Sequence, residues 1–256
     1  MHDFSSYVAI GDSFTEGVGD ELPDGRVRGW ADLVALGLAA ASSHPVSYAN
    51  LAIRGRLVAP IVGEQLDAAL RLRPALLSLN GGGNDVMRPR VAISSVADKL
   101  IAAVDRATAE GAHVLLASGA NPSARMVLGS LIQSRGERLA QAIRDQLPRA
   151  NVTFVDNWAD AELAGARYWS PDRIHMNALG HARVAANVLA ALDVPVPEHP
   201  GSVIEQGQLG RAAYWRRYML PWIARRLRGR SSGDGRDPKI PTLEPVVLQS
   251  AERHTE

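Results

Sequence analysis

Five short apolar runs, each followed by a longer stretch of helical period, constrain this 256-residue chain more than any other feature. The runs are Ser6–Ile10, Val46–Asn50, Ala75–Leu79, His113–Ser118 and Asn151–Asp156. Each has strand length, and each is bounded by turn residues. Helix candidates lie at Gly29–Ala41, Val58–Leu72, Val91–Glu110, Met126–Gln146 and Asn177–Leu192. In the last of these, Ala182, Ala185, Ala186, Leu189 and Ala190 recur at three- and four-residue steps, which puts them on one helix face. Pro74, Gly111 and Pro148 stand where a helix has to stop before the next strand. Repeated strand-then-helix units imply a parallel sheet covered by helices on both faces and joined by right-handed crossovers. Ligands of such sheets bind outside the carboxyl ends of the strands, so chemistry is sought in the residues that follow each strand.

Composition narrows the class. Hydrophobic residues make up 46% and charged residues 21%, which excludes a disordered chain. A chain of this length buries roughly 70% of its unfolded surface and needs no covalent staple. None is available, because cysteine is absent, and disulfides, cysteine-ligated zinc and a thiol nucleophile go with it. The net charge of +1 excludes a nucleic-acid binder driven by overall charge. The 26 arginines against two lysines, Lys99 and Lys239, read as genome composition. Met1 to Ser6 shows no basic region followed by an apolar one. The best apolar run, Trp30 to Ala41, contains Asp32 and is shorter than the roughly 20 residues of a spanning helix. A soluble cytoplasmic protein is the expectation.

Three prolines and a glycine between Pro195 and Gly201 mark a domain end, which leaves one α/β domain over residues 1–194. Residues 195–230 form a basic, aromatic extension. Its stretch Arg211 to Arg230 holds seven arginines and no acid, and leaves the rest of the chain at −6. That complement favours an extension packed on the domain; the alternative is weak contact of 211–230 with an anionic membrane surface. Residues 231–256 read as a flexible tail, because Ser231 to Pro241 is rich in Ser, Gly, Asp and Pro.

Four strand ends carry chemistry. After the first comes Gly11-Asp12-Ser13-Phe14, where a glycine-led serine either presents its hydroxyl to a substrate or caps a helix. After the second comes Asn50 to Gly55, where Gly55 either lets backbone N–H groups approach a ligand or serves an ordinary loop. The third runs into Asn80-Gly81-Gly82-Gly83-Asn84-Asp85. Three glycines cost conformational entropy, and here they would let the backbone crowd a ligand and present the Asn84 amide. A phosphate cradle is the rival, but the Gly-Lys-Ser/Thr of a P-loop is missing. After the fifth strand, Asp172 and His175 are three apart, so one turn can pair carboxylate with imidazole, the pairing a general base requires. The alternative is a turn cap and a structural histidine. A metal is not indicated: His175 and His181 are six apart, off one helix face, and His181 reads as a packing or hydrogen-bonding residue. Taken together, nucleophile, oxyanion donors and oriented base are the parts of an acyl-transfer site.

These blocks, in this order, resemble the SGNH/GDSL hydrolases, and the resemblance covers about residues 6 to 192. Gly11 to Phe14 is similar to the first block, with Phe14 where the family's name motif has Leu. Asn50 to Gly55 resembles the second, Gly82 to Asp85 the third and Asp172 to His175 the fifth. The stretch Gly82 to Pro89 is similar to bacterial lipase and lysophospholipase-like members. The resemblance implies Ser13 as nucleophile, His175 as base and Asp172 as third triad member. It implies an oxyanion hole from the Ser13 and Gly55 N–H groups and the Asn84 side chain. It implies neither metal nor organic cofactor.

The expected architecture is therefore a three-layer α/β/α sandwich on a five-stranded parallel sheet, flavodoxin-like in its 2-1-3-4-5 order. The expected activity is hydrolysis of a small-molecule carboxylic ester through an acyl-enzyme. Acyl transfer to an alcohol passes through the same intermediate and is the alternative, beside a non-catalytic lipid- or carbohydrate-binding protein on the same fold. Candidate pocket residues are Ile53, Arg54, Met87, Asn121, Met126 and Trp169.

Overall fold

The computed structural model describes residues 4–126, 128–197 and 231–248, together with Arg216 and Leu220. Strands β1 (Ser6–Ile10), β2 (Ser47–Asn50), β3 (Leu76–Leu79), β4 (His113–Ala117) and β5 (Val152–Val155) pair in parallel. Between and beyond them lie the helices α1 (Ser13–Glu16), α2 (Trp30–Ala41), α3 (Val58–Pro60), α4 (Leu66–Arg71), α5 (Gly83–Val86), α6 (Ile93–Ala109), α7 (Gly129–Arg144) and α8 (Ala178–Ala191). The long helix expected over 58–72 is interrupted by a π-helical turn at Ile61–Gln65.

The sheet corrects the expectation. It has six strands in the order β5-β4-β3-β1-β2-β6 and is mixed, not five-stranded and all-parallel. The sixth strand, β6 (Ile240–Pro245), runs antiparallel along the outer edge of β2, with Asn50 opposite Ile240 and Ser47 opposite Pro245. It comes from the segment read as a flexible tail. Two prolines, Pro241 and Pro245, argue against a central strand, but an edge strand needs N–H groups on one side only and tolerates them. The register shifts between Tyr48 and Asn50, as irregular edge pairing allows. The arginine-rich stretch 211–230, read as packed or membrane-facing, lies outside the described residues except for Arg216 and Leu220.

Strand residues alternate between two cores, as the period of two dictates. Tyr7, Ala9, Leu76, Leu115 and Ala117 pack toward α2 and α8, against Trp30, Val34, Val184, Val188 and Leu189. Val8, Ile10, Leu77, Leu79, Val114 and Leu116 face the opposite side, toward Ile61, Leu66, Val96, Leu100, Val104 and Leu139. Both faces of the sheet are covered, so its interior strands are largely apolar, and the buried Ser78 of β3 is paired with the Tyr7 hydroxyl at 2.9 Å. Helices α2 and α8 approach closely at Gly37, where a Cβ would stand 2.6 Å from Leu189 Cδ1. The carboxyl ends of β1, β2, β3 and β4 are left as one rim between the two layers of helices.

Candidate active site

The rim opens into a cavity of about 350 Å³. Ser13, Gly55, Asn84, Asp172 and His175 all line it, although they come from four separate stretches of chain.

Ser13 is the first residue of α1, directly after a turn that only glycine can make. A Cβ on Gly11 would stand 2.5 Å from Thr15 Oγ1 and 3.0 Å from Asn80 O. The Gln65 side chain grips that turn from the other side. Its Oε1 accepts from Gly11 N–H at 2.8 Å, and its Nε2 donates to Gly11 O at 3.0 Å. Asp12 caps α1 by accepting from Phe14 N–H at 3.1 Å. The serine is therefore held at a strand-to-helix corner with its hydroxyl outward.

His175 Nε2 stands 3.0 Å from Ser13 Oγ, and its Nδ1 stands 2.6 Å from Asp172 Oδ2. The loop carrying both is closed at its base by the bridge Trp169–Met176 and by Ser170 N–H on His175 O at 2.9 Å. Within it, Asp172 Oδ1 accepts from the N–H groups of Ile174 and His175, each at 3.0 Å, so the carboxylate organises its own turn. Asn177 then caps α8 by accepting from Gly180 N–H. Burial pushes Asp172 up, but its bonds and charge interaction with His175 hold it below its ordinary value. Burial pushes His175 down, yet Asp172 first and Asp12 second hold the imidazole above its ordinary value.

Asn84 Nδ2 donates to Asp12 Oδ2 and to Arg56 O, both at 3.0 Å. Of the three consecutive glycines, Gly81 and Gly83 line the cavity. Gly82 serves packing: its φ of +92° is left-handed, and a Cβ there would stand 2.8 Å from Leu139 Cδ2. Gly55 has φ +77°, and its carbonyl accepts from Ser231 Oγ at 3.1 Å. Arg54 beside it is fastened to Glu16, through its N–H at 2.6 Å and its guanidinium at 2.5 and 2.8 Å.

Three of the residues expected in the pocket, Arg54, Met87 and Trp169, line the cavity. The other three do not. Ile53 is buried, Asn121 bonds to Gln133, and Met126 packs against the core on the α6–α7 side. His181 is fully buried and does not line the cavity; Nδ1 accepts from Trp30 N–H and Nε2 donates to Val18 O, each at 3.2 Å. Among the described residues, no group of three or more His, Asp or Glu side chains is placed to hold a metal ion.

Several contributors carried no local signal. Gln65 sits in a helical pattern 54 positions from the turn it holds. Asp12, buried beside Ser13 and raised by that burial to about 6, stood within the first motif without a role. Ser231, Ser232 and Lys239 belong to a segment whose composition reads as tail.

Residues 9–183 match the GDSL-like Lipase/Acylhydrolase family. No curated protein matches the chain. Among solved structures, a lipase from a goat rumen metagenome superposes with a TM-score of 0.61 at 18% identity, covering 73% of this chain and 96% of its own. A lipase/acylhydrolase from Enterococcus faecalis gives 0.60 at 17% identity, covering 76% and 99%. TesA gives 0.58 at 25% identity, covering 73% and 97%. The chain belongs to the GDSL-like Lipase/Acylhydrolase family, and with it to the enzymes that hydrolyse carboxylic esters.

Proposed function

We propose that this protein cleaves a carboxylic ester through an acyl-enzyme on Ser13. One observation carries the reading: the unbroken line from Ser13 Oγ through the His175 ring to Asp172, with distances of 3.0 and 2.6 Å, at the mouth of a cavity. Asp172 accepts from Nδ1–H and so leaves the lone pair of Nε2 facing the hydroxyl. Ser13 Oγ attacks the ester carbon as its proton passes to Nε2. The oxyanion is held by the N–H groups of Ser13 and Gly55 and by the Asn84 amide. Collapse breaks the carbon–alkoxy bond, and the leaving alcohol takes the proton from Nε2. Water then repeats the sequence on the acyl carbon, giving its proton to Nε2 and releasing the acid and Ser13. Asp172 stabilises the imidazolium in both halves without taking the proton.

The cavity wall beyond the serine is apolar, with Leu100, Leu116, Ile132, Leu139 and Ile143, which suits the hydrocarbon part of a small-molecule ester. Labelling with a fluorophosphonate tests the reading. Wild-type protein takes one phosphonyl group on Ser13 and loses esterase activity with it. Ser13→Ala takes none and turns over no ester, while its fold is kept. A Ser13→Ala variant with a tenth of wild-type turnover, contaminating esterases excluded, sinks the assignment.

A further inference from the structure

The solved relatives are matched over 96–99% of their own length, whereas about a quarter of this chain has no counterpart in them, and the family match stops at residue 183. Part of the chain beyond the family match comes back to the candidate active site. Residues 231–239 cross the cavity rim beside Gly55, and β6 then anchors the segment along β2, the strand that leads into Arg54 and Gly55.

The contact with the Gly55 loop is close on both sides. Ser231 Oγ donates to Gly55 O at 3.1 Å. A Cβ on Gly55 would stand 2.3 Å from Ser231 Oγ and 2.8 Å from Ser232 Oγ. A Cβ on Gly233 would stand 2.1 Å from Arg54 O. Ser232 is part of the cavity wall itself. The turn is braced internally, because Asp234 Oδ2 accepts from Ser231 N–H at 2.8 Å.

A second contact holds the nucleophile's helix. Lys239 Nζ donates to Glu16 O at 2.7 Å, to Val27 O at 3.1 Å and to Asp32 Oδ2 at 2.6 Å, and the side chain is 18% exposed. Glu16 ends α1, the helix that Ser13 begins, and its carboxylate grips Arg54. The contacts thus close a ring: from Lys239 to Glu16, from Glu16 to Arg54 and Gly55, and from Gly55 back to Ser231.

We infer that residues 231–245 are an active-site strap that sets the Arg54–Gly55 peptide and α1 in their relative position for transition-state binding, with Ser231 and Lys239 as positioning residues. The inference rests on the reading of Ser13 as nucleophile and Gly55 N–H as an oxyanion donor. An oxyanion donor acts only when charge develops on the substrate, so its displacement lowers kcat and spares KM. A misplacement on the order of 1 Å costs about 100-fold.

Ser231→Ala and Gly233→Ala in the full chain test this, assayed on a short-chain p-nitrophenyl ester beside thermal melts. Expected is a fall in kcat of about 10- to 100-fold in each, with KM within about twofold and the melting temperature kept. Ser231→Thr, which retains the hydroxyl, recovers most of the loss. Lys239→Met shows the same split between kcat and KM. Unchanged kcat in Ser231→Ala and Gly233→Ala overturns the strap, and so does a fall that follows loss of folded protein and appears equally in Ser231→Thr. Fluorophosphonate separates the two readings. Wild-type protein that takes no label removes the nucleophile and the strap with it, whereas labelled variants with wild-type turnover remove the strap alone.

Discussion

Asn84 donates its side-chain amide to Asp12 Oδ2 at 3.0 Å, which ties the candidate oxyanion donor to the residue preceding the candidate nucleophile. The same nitrogen donates to Arg56 O, so both of its N–H groups are engaged in the resting protein. Asp12 is itself fixed by Phe14 N–H, and α1, α5 and the loop after β2 are thereby held together around the cavity. On the proposed mechanism, an oxyanion between Ser13 and Asn84 has to draw one of these hydrogens away from Asp12 Oδ2 or Arg56 O.

Asn84→Ala accordingly lowers kcat by about 10²- to 10³-fold with a modest change in KM. Steady-state kinetics beside a thermal melt check this. A lower melting temperature with near-normal kcat would make Asn84 a purely structural bridge.

The pH profile follows from the charges around His175. The imidazole has to be neutral to accept the serine proton, and it is held above its ordinary value by Asp172 and then Asp12. In wild-type protein kcat/KM therefore rises with pH through an apparent pKa above about 6.5. Asp12→Asn removes one of the two negative charges that favour the imidazolium, so the acid limb moves to lower pH. A limb that stays in place in Asp12→Asn means that Asp12 does not act on the base.

The candidate residues were legible because two of them follow closely on an apolar run and the other two share one turn. Ser13 follows Ile10, Asn84 follows Leu79, and Asp172 and His175 share one turn. Strand β6 was not legible, because its two prolines and polar neighbours read as tail, and only the unpaired edge of β2 makes it a strand. Lys239 was equally hidden. A lone lysine has no local pattern, and the acid it pairs with lies 207 positions away. The serines at 231 and 232 gain meaning only from the carbonyl and the cavity beside which the sheet places them.

His181 gives a stability prediction. Burial pushes its imidazole down to about 4, and both ring nitrogens are used as a neutral donor and acceptor. The unfolded chain takes up the proton near pH 6.5, so the folded state binds fewer protons between 6.5 and 4. This contribution is full above pH 6.5 and is lost as pH falls through that window, about 3 kcal/mol in all. His181→Gln keeps a donor and an acceptor but no titration. The stability gap between wild type and His181→Gln, from urea unfolding at pH 7, 5.5 and 4.5, narrows steadily toward acid. A constant gap would show that His181 is not protonated on unfolding.

Arg135 stands at 6% exposure in α7, and its guanidinium fans out over the chain that leaves α5. It donates to Val86 O at 2.7 Å, Arg88 O at 2.8 Å, Val91 O at 2.9 Å, Asp85 O at 3.3 Å and Pro89 O at 3.4 Å. Asp85 O and Arg88 O also accept backbone N–H groups, from Arg88 at 2.9 Å and from Val91 at 3.0 Å, so the cation reinforces those two and serves Val86 O, at the end of α5, directly. Arg135→Met fills the space but takes the donor from Val86 O, in a buried residue, at about 1–3 kcal/mol if water cannot reach it. Arg135→Lys keeps the charge but offers three donors on one nitrogen, too few and too compact for the fan. Both variants therefore melt lower than wild type, with Met the more severe, and urea unfolding measures the difference. Because the same carbonyls fix the turn beside Asn84 and Met87, the folded fraction of Arg135→Lys also loses kcat. Wild-type stability in Arg135→Met would show that water serves those carbonyls as well as the guanidinium does.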